Sequence, residues 1–238
     1  MKVISLNINK GKNWMALMSF LFKEKPGLLL LQEVLLPQVQ LLCDQLSMHG
    51  VFGGMSINEA ENGVSRGCVV LSTEQLHKPF TLKYGTFDSD KQVSTQYEGL
   101  NTVLVGGYLE SLGCVVATTH FTLSLTPAPD KEQRKNLPKL LRALEKRKVG
   151  LLGVDLNSAR KMPDGSSGEI WQELAVRMCD SLTRDVKTTL DPNHRWGNEP
   201  TVLDGMFYAP DRCRVHRVSL VSGVSDHKAL VAYVNRTP

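Results

Sequence analysis

The stretch Val149-Gly150-Leu151-Leu152-Gly153-Val154-Asp155-Leu156-Asn157 decides how this chain is read. Six uncharged residues, rich in valine and leucine, run into two polar side chains set two positions apart. A short apolar run of this kind is the mark of a buried strand. In a strand, residues i and i+2 face the same side about 7 Å apart, so Asp155 and Asn157 point into one place. The pattern recurs along the chain. Val3–Ile8 runs through Asn7 to Asn9, again an i, i+2 pair of amides. Leu28-Leu29-Leu30-Leu31 ends at Gln32-Glu33, Val115–Thr119 ends at His120, Val202-Leu203 leads to Asp204, and Ser225-Asp226-His227 precedes the last apolar run, Ala229–Val234.

Strands are expected at Val3–Ile8, Leu28–Leu31, Gly67–Leu71, Thr102–Leu109, Cys114–Thr119, Val149–Val154, Val202–Tyr208, Arg214–Leu220 and Ala229–Val234. Helices are expected at about Trp14–Lys23, Pro37–Met48, Gln133–Lys146 and Gly168–Cys179. In the third, Leu137, Leu140, Leu141 and Leu144 follow the spacing of one apolar face, and Pro138 suggests a late start or a kink. Its other face carries Arg134, Lys135, Lys139, Arg142 and Lys146, read as a solvated face. Asn62–Arg66, Thr126–Asp130 and Asp191–Pro200 read as surface loops. Many short strands with outer helices imply two packed sheets covered by helices, an α/β fold. No repeat, low-complexity tract or composition shift divides the chain, so one domain over residues 1–238 is expected.

Composition narrows the class. Hydrophobic residues make up 42% and charged residues 22% of the chain, which suits a folded globular protein and argues against a disordered one. The net charge of +4 suits a polyanionic substrate. The five cysteines are odd in number, widely spaced and without a Cys-x-x-Cys, which argues against a zinc knuckle or a disulfide framework. Met1–Asn7 lacks the long apolar core of a signal peptide, and no apolar run approaches ~18 residues. A reduced, intracellular, soluble protein is expected.

Each polar strand end taken alone reads as a turn or a helix cap. Taken together, strands entering from one end bring Glu33, Asp155, Asp204 and Asp226 beside Asn7, Asn157, His120 and His227. Clustered carboxylates repel unless a cation or proton lies between them. Oxygen-dominated ligands select a hard cation, magnesium or manganese. Two histidines add acid–base capacity near neutral pH.

These residues, in this order, resemble the exonuclease–endonuclease–phosphatase superfamily that includes deoxyribonuclease I. Leu6-Asn7-Ile8-Asn9 resembles its opening asparagine motif, Leu31-Gln32-Glu33 its Leu-Gln-Glu, and Thr119-His120-Phe121 its Thr-His-Leu. Val154-Asp155-Leu156-Asn157 resembles Gly-Asp-Phe-Asn, Leu203-Asp204-Gly205-Met206-Phe207 resembles Ile-Asp-Tyr-Ile-Phe, and Ser225-Asp226-His227 resembles the terminal Ser-Asp-His. The resemblance spans Lys2 to Val234. It implies a four-layer α/β sandwich, two packed mixed β-sheets flanked by helices. It also implies a Mg2+-dependent phosphodiesterase, with Mn2+ as a substitute, acting by in-line water attack.

The resemblance assigns roles residue by residue. Glu33 binds the metal with Asn7 alongside, and Asp226 contributes directly or through water. Asp155 and Asn157 position or activate the water. His227, paired with Asp204, is general base or protonated phosphate clamp, and His120 holds a phosphate oxygen or assists the leaving group. Val154, Asn9 and Gly205 depart from the common Gly, Asp and Tyr, and Cys68 replaces a Gly in Arg66-Gly67-Cys68. His120 points toward the branch of deoxyribonuclease I and tyrosyl-DNA phosphodiesterase rather than apurinic endonuclease.

A nuclease on DNA is the leading expectation, with Asn9, Arg66, Arg134 and Trp196 as substrate contacts. Trp196, eight residues before Asp204, suits a loop that stacks on a base or packs on the core. A phosphatase or phosphodiesterase for DNA ends, inositol phosphates or other small esters is the alternative, because fold and site chemistry do not choose the substrate. A non-catalytic binding module is the third reading. A monomer with a nucleic-acid substrate, no membrane and no obligate protein partner is expected.

Overall fold

The computed structural model describes residues 1–58, 64–86, 101–124, 126–197 and 199–237. Twelve strands among them form two six-stranded sheets. The first sheet holds β1 (Lys2–Asn7), β2 (Leu28–Leu35), β3 (His49–Asn58), β4 (Val64–Ser72), β11 (Cys213–Val221) and β12 (Ala229–Arg236), in the order β11-β12-β1-β2-β4-β3. The second holds β5 (His77–Thr86), β6 (Asn101–Leu109), β7 (Cys114–His120), β8 (Val149–Asp155), β9 (Cys179–Asp180) and β10 (Asp204–Tyr208), in the order β5-β6-β7-β8-β10-β9. Each sheet has one parallel pair at its centre, β1 with β2 and β7 with β8, and antiparallel neighbours outside. The helices are α1 (Trp14–Glu24), α2 (Leu36–Leu46), α3 (Lys131–Arg147) and α4 (Glu169–Ala175).

The leucine run of β2 shows why the layers form. Leu28 and Leu30 pack between the sheets, whereas Leu29 and Leu31 pack under α1 and α2 with Leu17, Leu21 and Leu42. The period of two gives each face its own apolar set, and a strand covered on both faces reads as a continuous apolar run. All four leucines are fully buried, each worth about 1.5–3 kcal/mol relative to exposure. The sheets approach closely at Gly153, where an added Cβ would lie 2.6 Å from Ser5 Oγ and 2.8 Å from Leu30. Val154, the departure from the common glycine, is fully buried in the same core.

Several elements differ from the sequence expectations. β3, β5 and β9 were not anticipated. β3 holds Gly50, Gly53 and Gly54 and β5 holds Pro79, which weaken a strand signal. The glycines serve close packing: a Cβ at Gly53 would meet Val105 at 2.4 Å. α4 stops at Ala175, and Cys179, assigned to its end, lies in β9. Val202 and Leu203 precede β10 rather than opening it; Leu203 carries its backbone bonds to Thr189 Oγ1 and Leu156 N. α3 does not start late, and Pro138 lies inside it. It begins at Lys131, capped by Asp130, whose side chain accepts from Gln133 N at 2.8 Å. Pro138 lies on the exposed side, where water can satisfy a carbonyl that the proline leaves without its N–H. Of the expected loop Asn62–Arg66, residues 62 and 63 lie outside the described residues, and Val64–Arg66 open β4. Among the described residues no helix is long and apolar enough to cross a membrane.

Candidate active site

The topology explains why the polar strand ends meet. β1 and β2 run in parallel and their pairing ends at Asn7 and Gln32, just before Glu33, whereas β7 and β8 finish at His120 and Asp155, paired in register. β10 is antiparallel to β8 and starts with Asp204 opposite Asp155. β12 is antiparallel to β1, so Asp226 and His227, just before it, reach the same edge. A cleft of about 640 Å³ opens there, lined by Glu33, His120, Asp155, Asn157, Asp226 and His227 among others.

Asp155 is the hub. Its Oδ2 accepts from Asn7 Nδ2 at 2.9 Å, across the two sheets, and lies 3.4 Å from His120 Nε2 and 3.8 Å from His227 Nε2. Its Oδ1 accepts the backbone N–H of Asn157 at 2.9 Å. Asn157 in turn donates its amide to Phe121 O, and Gln133 donates to the Asn157 carbonyl. His227 Nδ1 sits 2.9 and 3.0 Å from the two Asp204 oxygens. The backbone N–H groups of Leu203 and Asp204 both donate to Thr189 Oγ1.

Charge follows from this arrangement. Burial alone would lower His227, but the Asp204 and Asp155 carboxylates outweigh it and lift the imidazole to about 10. Burial pushes Asp204 upward against the pull of His227. Both shifts keep a proton within the pair at neutral pH. Burial works to raise Glu33 and Asp155 as well; Arg66 and His120 overcome it at Glu33, and His120, His227 and the Asn7 bond overcome it at Asp155, so both stay below the ordinary carboxylate range.

Glu33 lies at a register shift between β2 and β4 and has φ of 54°. A left-handed glutamate costs on the order of 1–2 kcal/mol, a strain that clusters at functional sites. Asn157 (φ 48°) and Asn9 (φ 44°) share the conformation, which asparagine tolerates better.

Of the five residues expected to be catalytic, His120, Asp155, Asn157 and His227 line the cleft, and Asp204 is buried behind His227 on its Nδ1 side. The three expected at the metal take distinct places. Asn7 supports Asp155 through its amide, and its Oδ1 accepts from Asn9 N. Glu33 Oε2 accepts from Arg66 at 3.2 Å, while Oε1 is 3.8 Å from His120 Nδ1 and forms no hydrogen bond with it. Asp226 accepts from Asn9 Nδ2 at 2.6 Å and from Ser225 Oγ at 3.1 Å, and no ion pair reaches it among the described residues. A Glu33 oxygen without a hydrogen bond and an Asp226 carboxylate without a contact ion pair among the described residues fit a hard divalent cation. Among the described residues, two groups have ligand atoms within 4.8 Å of one another: His194, Asp226 and His227, and Asp155, Asp204 and His227.

The expected substrate contacts divide. Asn9 and Arg66 line the cleft, each bonded to a carboxylate there. Arg134 lies outside it, exposed and paired with Glu169 of α4 at 2.8 Å, because the helical period turns it toward α4. Trp196 does not line the cleft; it lies under the Arg195 guanidinium at 4.1 Å and edge-on to His194. His194 lines the cleft instead, its ring 5.0 Å from that of His227, and Nδ1 accepts from Trp196 N at 3.1 Å. A lone histidine in a Pro-Asn turn carries no periodic signal that would have singled it out. Gly205 leaves room for Trp171: a Cβ there would lie 3.0 Å from that ring, which donates to Ser158 O.

No protein-family model matches the chain, and no curated relative resembles it in sequence. Solved structures do resemble it. The human Nocturnin catalytic domain with bound sulfate is similar at TM-score 0.71 and 16% identity, covering 100% of this chain and 93% of that one. A mannosyl-6-phosphatase from Bacteroides thetaiotaomicron gives 0.67 and 13%, covering 98% and 99%. An AP endonuclease from Archaeoglobus fulgidus gives 0.68 and 17%, covering 98% of each. Nuclease and sugar phosphatase score alike, so the overall shape does not separate the branches. This chain therefore has the α/β sandwich fold of the endonuclease/exonuclease/phosphatase structures.

Proposed function

We propose that the chain is a divalent-metal-dependent phosphoester hydrolase, most specifically a Mg2+-dependent nuclease cutting DNA phosphodiester bonds. The observation that carries the reading is the set of bonds centred on Asp155, where Asn7, His120, Asn157 and His227 converge while Asp204 holds the far side of His227. Glu33 and Asp226 would hold the cation, which when bound neutralises charge on the phosphate and the departing oxygen. His227, kept protonated by its carboxylates, donates from Nε2 to a phosphate oxygen. His120 supplies a second contact from the opposite wall. Asp155, fixed by Asn7 and Asn157, orients the water for in-line attack.

The basic cleft residues Lys12 and Arg195 favour a polyanion. The bacterial sugar phosphatase of the same fold favours a second reading, a phosphatase for small esters. The test is a substrate panel: supercoiled plasmid, single-stranded oligonucleotide, bis(4-nitrophenyl) phosphate and sugar phosphates, each with magnesium, manganese or chelator. Metal-dependent cleavage of the nucleic acids supports the nuclease reading. Turnover of sugar phosphates alone moves the assignment to the second, and hydrolysis that persists in chelator contradicts both.

A further inference from the structure

The positive charge of this protein is concentrated in one place. Residues 131–148 hold eight basic and two acidic side chains, a net +6, whereas the whole chain carries +4. The rest of the chain is therefore net −2, and α3 with its C-terminal Lys148 supplies all of the excess. Lys135, Lys139, Arg142 and Lys146 follow i, i+4, i+7, i+11 spacing, so they form one stripe along the helix. All four are exposed. Like charges at this spacing repel and weaken a helix, and among the described residues only Lys135 within the stripe is paired with an acid, Glu132.

The stripe does not end with the helix. A hollow of about 700 Å³ beyond it is lined by Lys146, Arg147 and Lys148, by His77 and Lys78 of β5, and by a single acid, Glu110. A cation from a second element, Lys78, goes beyond what a helix C-terminus needs to balance its dipole. At the other end α3 starts at the catalytic cleft, where Gln133 donates to the carbonyls of Thr122 and Asn157. Seventeen residues span about 25 Å, the length of roughly seven base pairs of duplex at 3.4 Å per phosphate along a strand.

We propose that the exposed face of α3 and the cationic hollow at its end form a second binding surface, which holds the phosphate backbone of a nucleic acid whose strand enters the cleft at the helix N-terminus. This rests on the nuclease reading of the cleft, and it makes the substrate a polymer. Among the described residues the exposed large apolar side chains, Met15, Phe22, Leu36, Leu41, Val176 and Tyr233, all lie off α3. A helix that enters a membrane surface presents an apolar face beside its cations, so nucleic acid suits this surface and a lipid bilayer does not.

The test compares wild type with K139Q/R142Q/K146Q/K148Q and with a control, K23Q/K25Q/R214Q/R217Q, that removes equal charge from the first sheet's side. Binding of a fluorescent 30-base-pair duplex is read by anisotropy in chelator across a salt series, and hydrolysis of bis(4-nitrophenyl) phosphate with magnesium is read separately. The α3 variant should bind the duplex at least tenfold more weakly, with its salt slope reduced by about 3 to 4, at ~0.9 per lost phosphate contact. It should hydrolyse the small diester like wild type, and the control should bind like wild type. Equal binding by wild type and the α3 variant overturns the proposal, as does an equal loss in the control. Loss of binding to phosphatidylserine vesicles with duplex binding intact overturns it in favour of a membrane. Small-diester hydrolysis without duplex binding sinks this inference and leaves the hydrolase reading standing. Duplex binding through α3 without any hydrolysis does the reverse.

Discussion

Asp204→Asn removes the carboxylate that sits 2.9 and 3.0 Å from His227 Nδ1 with almost no change of shape. His227 is protonated to about 10 because Asp204, then Asp155, outweigh its burial. Without the Asp204 charge, burial works against Asp155 alone, and the imidazole falls back toward the ordinary histidine value of about 6.5. At ~1.4 kcal/mol per pH unit, the lost preference for the imidazolium is several kcal/mol. An amide can also hold the ring in the wrong tautomer, an effect of up to ~10⁴ in turnover in a comparable His–Asp pair. The assay is hydrolysis of bis(4-nitrophenyl) phosphate with magnesium from pH 5 to 10. Wild type should stay active into the alkaline range and fall only as pH rises toward 10. The variant should lose about 10²- to 10⁴-fold at pH 8, with its descending limb moved toward pH 6.5 and part of the activity recovered in acid. An unchanged alkaline limb with unchanged turnover would refute the reasoning that Asp204 keeps His227 charged.

Three further outcomes are expected. In chelator, Glu33 and Asp155 lie below the ordinary carboxylate range, so their stabilisation is complete above about pH 4 and is lost as pH falls through their depressed values; urea titrations from pH 6 to 2 should show a shallower acid limb for Asp155→Asn, and identical limbs would contradict the charge assignment. Gly153→Ala places a Cβ 2.6 Å from Ser5 Oγ and should cost about 1–3 kcal/mol in urea unfolding through overpacking; a neutral change would mean that the sheets are less closely fitted than described. Glu33→Gln should weaken magnesium binding at least tenfold by calorimetry while thermal unfolding in chelator stays within a few degrees of wild type, and unaltered magnesium binding would move the cation elsewhere.

The fold was legible where a strand is apolar on both faces. Leu28–Leu31 and Val149–Val154 announce themselves because each contributes to packing on two sides. β3 and β5 were not legible, because glycines that let the sheets approach and a proline near an edge look like loop residues in one dimension. The site was legible for a related reason. Asn7, His120, Asp155 and Asp204 end or begin inner strands, and a polar residue at the limit of an apolar run stands out. Arg134 and Trp196 lie outside the cleft lining, which their sequence neighbourhood could not show; the helical period turns one to α4, and stacking fixes the other beneath Arg195. His194 depends on a turn held against Asp226 by the Asp191 N–H, 2.9 Å from the Asp226 carbonyl, a contact between distant parts of the chain that no local pattern encodes. The cationic stripe of α3 was visible as charge, but only the fold puts one end of it at the cleft.

The measurement that bears most directly on the account is cleavage of supercoiled plasmid and bis(4-nitrophenyl) phosphate in magnesium by wild type and His227→Ala, with thermal unfolding run in parallel. Wild type should hydrolyse both in a manner that chelator abolishes, and the variant should stay folded and be slower by several orders of magnitude. A folded His227→Ala protein with near-wild-type hydrolysis would contradict the central claim that this buried His–Asp cluster is the catalytic site.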